Sequence, residues 1–273
     1  MIPEHLNIAL MAALRAGDAI MGIYKKSDFR VELKADNSPL TLADRTSHTI
    51  ISESLEGTGL PILSEEGKEI PYEIRKDWPL FWMVDPLDGT KEFISRNGEF
   101  TVNIALINHQ LPIAGIIYAP VPDVLYAGLP GMGSYRIDHA SMYRDRLDIN
   151  HLLQQAESLP RELSGHNYTA VASRSHSNEK TQSYLESLRK QHGDIGITSR
   201  GSSLKFCLIA EGSADIYPRF GPTYEWDTAA GHAIVETAGG RVMVATGEAL
   251  RYNKQDLLNP DFIAFGCWQA VGS

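Results

Sequence analysis

The chain has 273 residues, enough for one large domain or two of ordinary size, and its 43% hydrophobic and 22% charged residues form an ordinary globular composition that argues against disorder or a membrane-embedded fold. With 34 Asp plus Glu against 25 Lys plus Arg, the formal charge is −9, which repels polyanions and speaks against nucleic acid or tight contact with anionic lipid. An anionic ligand would therefore need a local basic cluster or a bound cation.

Leu6, Leu10, Ala13, Gly17, Ile20, Met21 and Tyr24 recur at helical spacing, so the first two dozen residues are expected to form an amphipathic helix. Glu4, His5, Arg15 and Asp18 interrupt it, so neither a signal peptide nor a segment of roughly 20 apolar residues able to span a membrane is expected. A second helix is predicted from Thr41 to Leu55, with Thr41 as cap and Asp44 three residues on as its capping-box partner. Strands are predicted at Phe81 to Val84, Thr101 to Ile107, Ile113 to Tyr118 and Val124 to Tyr126. The polar stretch from Arg136 to Asn167 shows no clear strand and reads as a connecting helix and loop, dividing an N-terminal half, 1–136, from a C-terminal half, 137–273. Beyond it come a strand at Thr169 to Ala172, helices at Lys180 to Gln191 and Ser202 to Glu211, and a strand at Asp215 to Tyr217. A helix from Thr223 to Ala238 and strands at Arg241 to Val244 and Phe262 to Phe265 complete the chain. Both halves mix strands and helices, which predicts a layered α+β fold. Cys207 and Cys267, the only cysteines, are too few for a disulfide framework and suit a reducing cytoplasm.

The most informative segment is Asp85-Pro86-Leu87-Asp88-Gly89-Thr90, which ends the apolar strand Phe81-Trp82-Met83-Val84. A buried strand ending in two acids stores charge badly unless a cation neutralises it. Pro86 fixes φ and Gly89 permits a sharp turn, so Asp85 and Asp88 can converge with the Leu87 carbonyl between them, a hard-oxygen set suited to Mg²⁺. Glu65-Glu66, and Asp227 within Trp226-Asp227-Thr228-Ala229-Ala230, can complete the cage. Each piece also has an ordinary explanation: Asp88-Gly89 as a turn, Glu65-Glu66 as a solvated loop, Asp227 as an acid suited to the positive end of a helix, and Asp44 as a cap partner.

In combination and in this order, the three acidic segments resemble the inositol monophosphatase superfamily of lithium-sensitive, Mg²⁺-dependent phosphatases. Lys91-Glu92-Phe93, Asp36-Asn37-Ser38-Pro39, Gly98-Glu99-Phe100-Thr101-Val102-Asn103, Gly201-Ser202-Ser203-Leu204-Lys205-Phe206-Cys207 and Tyr217-Pro218-Arg219-Phe220-Gly221-Pro222 are similar to its bisphosphate-nucleotidase branch, over nearly the whole chain. The resemblance implies an α/β/α/β/α sandwich. It implies two Mg²⁺, with a third in some members: Glu65, Asp85 and the Leu87 carbonyl hold one, and Asp85, Asp88 and Asp227 the other. It makes Asp44 and Thr90, with Glu65, the catalytic residues that orient and deprotonate water, and puts phosphate on the N–H groups of Gly89 and Thr90. It also places His176, Ser202, Lys205 and Arg219 near a nucleotide.

The reaction so implied is Mg²⁺-dependent hydrolysis of the 3'-phosphate of 3'-phosphoadenosine 5'-phosphate, or of its sulfated form, by metal-activated water, which clears a by-product of sulfate assimilation. Some such proteins associate with the inner face of the membrane, though nothing in this sequence requires it. Two other readings stay open: an inositol or sugar phosphatase using the same metals, and a non-catalytic nucleotide or metal sensor on the same fold. Lys205 and Arg219 bear on the first, since isolated cations can grip a second phosphate but are also ordinary surface charges.

Overall fold

The computed structural model describes residues 2–26, 31–33, 39–145, 149–161, 167–172 and 178–267. Its first layer is helical: α1 (Ile2–Tyr24) packs against α2 (Leu42–Glu56), with a short antiparallel pair, β1 (Glu32–Leu33) and β2 (Pro39–Leu40), between them in the chain. Contrary to the sequence expectation, Pro3–Tyr24 is long and apolar enough by composition to cross a membrane. Here it is a core helix, with Leu6, Leu10, Ala13 and Ile20 buried against the sheet beneath.

That sheet has seven strands in chain order: β3 (Ile62–Ser64), β4 (Leu80–Asp88), β5 (Thr101–Asn108), β6 (Leu111–Ala119), β7 (Val124–Leu129), β8 (Gly133–Asp138) and β9 (Glu157–Leu159). β3 runs parallel to β4 and every later neighbour is antiparallel. Two short helices, α3 (Tyr72–Arg75) and α4 (Thr90–Ile94), flank β4, and α5 (Ile149–Gln155) precedes β9. The stretch from Arg136 to Asn167 is thus not strandless: it holds the end of β8 and all of β9, and the sheet continues to Leu159.

The second sheet is ordered β11-β10-β12-β14-β13, from β10 (Thr169–Ala172), β11 (Gly196–Ser199), β12 (Ile216–Arg219), β13 (Arg241–Val244) and β14 (Phe262–Phe265). Between the two sheets lie α7 (Leu204–Glu211) and α8 (Glu225–Thr237), and α6 (Glu179–His192) packs Leu185 and Leu188 on the far side of the second sheet. The layers read helix, sheet, helix, sheet, helix, as expected.

Strand alternation decides which layer each side chain meets. Trp82 and Val84 of β4, with Val102, Ile104 and Leu106 of β5, join the core under α1 and α2. Phe81 and Met83, with Ala105 and Ile107, join the core around α7 and α8. Continuing the alternation, Asp85 points with Phe81 and Met83 toward α8.

Candidate active site

Asp88 would face the opposite way from Asp85 in a regular strand, three positions on. The pairing prevents this: Asp85 sits opposite Asn103 and Asp88 opposite Thr101, so two residues of β4 match one of β5. This bulge at Pro86-Leu87 reverses the alternation. Leu87 drops into the core under α1 and α2, and Asp88 turns to the same side as Asp85. Two bonds hold the bulge: Ser47 Oγ of α2 donates to the Pro86 carbonyl at 2.7 Å, and the Leu87 N–H donates to Asp85 Oδ1 at 3.0 Å. Gly89 then takes φ 91, a left-handed conformation, and α4 begins.

The side chains converge from three elements. Glu65 follows β3, its N–H bonded to the Val84 carbonyl at 3.1 Å, and Asp227 stands in the first turn of α8. Glu65, Asp85 and Asp227 each present a carboxylate oxygen within 4.8 Å of the others. Asp88 is outside this tight trio, but it lines the same cleft and its charge acts on both Asp85 and Asp227. Burial foremost, and then the neighbouring acids, push Asp85 and Asp227 well above the usual carboxylate range. Burial pushes Asp88 up to about 6, against the pull of Lys205, Asn103 and the Ser203 N–H.

Asp44 makes the cap bonds and also reaches Thr90. Its Oδ2 accepts from the Thr41 N–H at 2.7 Å and the Thr41 hydroxyl at 2.5 Å, completing the capping box, while Oδ1 accepts from Thr90 Oγ1 at 3.1 Å. Burial raises its pKa, opposed by the Thr41 bonds.

Glu65, Asp88 and Asp227 line a cleft of about 530 Å³ together with Ser202, Lys205, Arg219 and an exposed Arg200, while Asp85 and Asp44 are buried outside its lining. Lys205 is not the ordinary surface charge that was one of its two readings. It is buried, and its ammonium donates to the Ser202 carbonyl at 2.6 Å and the Arg200 carbonyl at 3.3 Å, leaving one of three N–H groups for a ligand. Burial lowers its pKa, partly offset by Asp88. Arg219 donates Nη2 to the Pro222 carbonyl at 3.0 Å, and its buried Nε meets no acceptor among the described residues. His176 and Asp36 to Ser38 lie outside the described residues.

Sequence reasoning missed Arg200, Glu92 and Glu99 as cleft residues. Glu99 accepts the Gly201 N–H at 2.8 Å, tying the turn after α4 to the loop before α7. Only the position of Arg200 beside Gly201-Ser202 could have flagged it.

Known proteins resemble the chain over nearly its whole length. The inositol monophosphatase family matches residues 2–269. A 3'(2'),5'-bisphosphate nucleotidase CysQ of Shigella flexneri is 46% identical over 261 residues, covering 94% of this chain and 98% of that one. The crystal structure of CysQ from Bacteroides thetaiotaomicron, 48% identical, superposes with a TM-score of 0.91 over 98% of both chains. An inositol monophosphatase of Thermotoga maritima, 20% identical with a TM-score of 0.69 over 97% of this chain and 92% of that one, shares the fold.

Proposed function

The chain belongs to the inositol monophosphatase family, and on that premise we propose that it is a Mg²⁺-dependent 3'(2'),5'-bisphosphate nucleotidase. It removes the 3'-phosphate of 3'-phosphoadenosine 5'-phosphate, and of its sulfated form, leaving AMP or adenosine 5'-phosphosulfate. The observation that carries this is one cleft lined by Glu65, Asp88 and Asp227, with Asp85 clustered against Glu65 and Asp227, and by the cations Lys205 and Arg219.

The donor set suits a divalent cation. Three carboxylates within 4.8 Å cannot all stay ionised in a buried site without positive charge between them, and hard oxygen donors match Mg²⁺. Glu65, Asp85, Asp88, Asp227 and the Leu87 carbonyl are the residues that would hold two ions, with room for a third near Glu65 left to experiment. When bound, such ions acidify water and offset charge on the leaving oxygen.

The chain's own groups supply the rest. Thr90 Oγ1 directs its hydrogen to Asp44 Oδ1, so it can accept a proton from attacking water as its own passes to that carboxylate, which ends as the base. The N–H groups of Gly89 and Thr90, with Ser202, receive phosphate oxygens. The remaining Lys205 N–H and the Arg219 guanidinium oppose the second phosphate of a bisphosphate, which a monophosphate lacks. The cytoplasm is the compartment we assign.

Phosphate release measured with Mg²⁺ on 3'-phosphoadenosine 5'-phosphate and on inositol 1-phosphate tests the substrate. Turnover of the bisphosphate should dominate, and Asp88→Asn should nearly abolish it in a folded protein. Faster hydrolysis of the inositol ester would reject the nucleotide, and an Asp88→Asn protein as active as wild type would reject the metal assignment.

A further inference from the structure

Asp88 is held by groups that the proposed chemistry does not use. Asn103 Nδ2 lies 3.3 Å from Asp88 Oδ2, Ser203 Oγ lies 2.8 Å from Asn103 Oδ1, and Thr101 Oγ1 lies 2.7 Å from Ser203 Oγ and 3.2 Å from Ser202 Oγ. Thr101, Asn103 and Ser203 are fully buried, at 0%, 1% and 2% exposure, so water does not compete for these bonds.

The direction of every hydrogen in this chain follows from donor arithmetic. A carboxylate only accepts, so Asn103 must turn its amide NH₂ to Asp88. Its Oδ1 then faces Ser203 and takes that hydroxyl's only hydrogen. Ser203 Oγ must accept from Thr101, and Thr101 in turn accepts from Ser202. The run is polarised from Ser202 to Asp88, both of which line the cleft.

The strand pairing explains why Asn103 is placed for this. It sits opposite Asp85, on the α8 side of β5, and the bulge brings Asp88 back to that same side one pair further on. The acceptor-only carboxylate selects the amide's orientation, and the Ser203 hydroxyl, backed by Thr101, anchors the far end of the amide by donating to Oδ1.

We infer that Asn103 is a positioning residue: donating to Asp88 and anchored through Oδ1 by Ser203 with Thr101 behind it, it fixes where Asp88 stands in the metal site. This rests on the reading of Asp88 as a metal ligand. Partners behind a ligating carboxylate typically matter by 10- to 100-fold in metal affinity when removed.

The test is Mn²⁺ binding without substrate, followed by electron paramagnetic resonance on wild type, Asn103→Ala and Ser203→Ala, at a temperature where all three show native circular dichroism. Asn103→Ala should bind Mn²⁺ about 10-fold or more weakly. Ser203→Ala, which removes the anchor but keeps the amide, should lose several-fold. In turnover, the Mg²⁺ concentration for half-maximal rate should rise in both variants while KM for the bisphosphate stays near wild type, a split that plain loss of stability would not give. If Asn103→Ala does not fold, Ser203→Ala decides. Mn²⁺ affinity within twofold of wild type in the folded variants overturns the inference alone, and absence of saturable Mn²⁺ binding by wild type overturns the metal reading with it.

Discussion

Asp85, Asp88 and Asp227 make the metal-free chain sensitive to pH in a defined direction. All three have folded-state pKa values above the ordinary carboxylate value, mainly through burial, with Asp88 pushed up to about 6. Between about pH 4 and 6 the folded chain therefore binds more protons than the unfolded chain, and stability falls as pH rises through that window. A bound cation compensates the desolvated carboxylates and the repulsion among them, the two causes of these shifts. The thermal midpoint in EDTA should accordingly drop from about pH 4.5 to 7.5, and the gain on adding Mg²⁺ should be several degrees larger at the higher pH. Differential scanning fluorimetry checks it: an equal Mg²⁺ gain at both values would mean these acids are not where the ion binds. At this scale the sequence was legible where function is written in short runs. Asp85 to Thr90 and the Trp226-Asp227 pair are local, and so is the Thr41 to Asp44 cap. Partners that meet only in three dimensions were not: Asn103 looked like one more strand residue, and nothing local showed that Lys205 spends two donors on carbonyls.

Helix α8 carries Asp227, and its depth between the two sheets depends on residues with no side chain. A Cβ on Gly115 of β6 would stand 2.1 Å from the Ala230 carbonyl oxygen and 3.0 Å from the Ala230 Cα. Backbone cannot swing aside as a side chain can, so Gly115→Ala must lift α8 off the sheet. The expected cost is about 1–3 kcal/mol, the usual range for overpacking, with reduced turnover because Asp227 moves with the helix. Gly22→Ala is the contrast, since a Cβ there meets nothing within 4 Å: in a helix it should be neutral or stabilising by up to about 1 kcal/mol. Urea denaturation with a phosphate-release assay reads both, and a Gly115→Ala enzyme of wild-type stability would show that α8 is not seated by this contact. The long elements were legible because α1, α2, α6 and α8 run for three turns or more and β4 to β7 are strongly apolar. The missed strands β1, β2, β3, β9 and β11 have two to four residues, too few for a period to show, and β8 mixes Arg and Asp with Tyr and Ile. Their pairing partners, not their own residues, make them strands.

The site draws on both sheets, Glu65, Asp85 and Asp88 from the first, Arg219 from β12 of the second, and Lys205 and Asp227 from the helices between, so the two sheets must hold register with each other. A buried charge at their junction contributes to this. Glu211, at the end of α7 and 3% exposed, accepts from Tyr126 Oη of β7 at 2.7 Å and pairs with Arg136 of β8 at 2.5 Å and with Arg161, just after β9, at 2.8 Å. Because desolvation of a carboxylate is expensive, its partners matter more than the pair itself. Replacing both Arg136 and Arg161 by Ala strands the Glu211 charge in the interior and should cost about 3–5 kcal/mol. Adding Glu211→Met to that double variant removes the stranded charge, and most of the loss should return even though no ion pair has been restored. Single replacements should cost less, since each leaves one guanidinium on the carboxylate. Urea unfolding followed by tryptophan fluorescence and by circular dichroism measures all of these. The two signals should coincide in every variant, because the junction couples the sheets into one cooperative unit. A triple variant no more stable than the double would show that Glu211 is not the source of the loss, and separated transitions in the double variant alone would show that this cluster, beyond tolerating burial, is what holds the two sheets together.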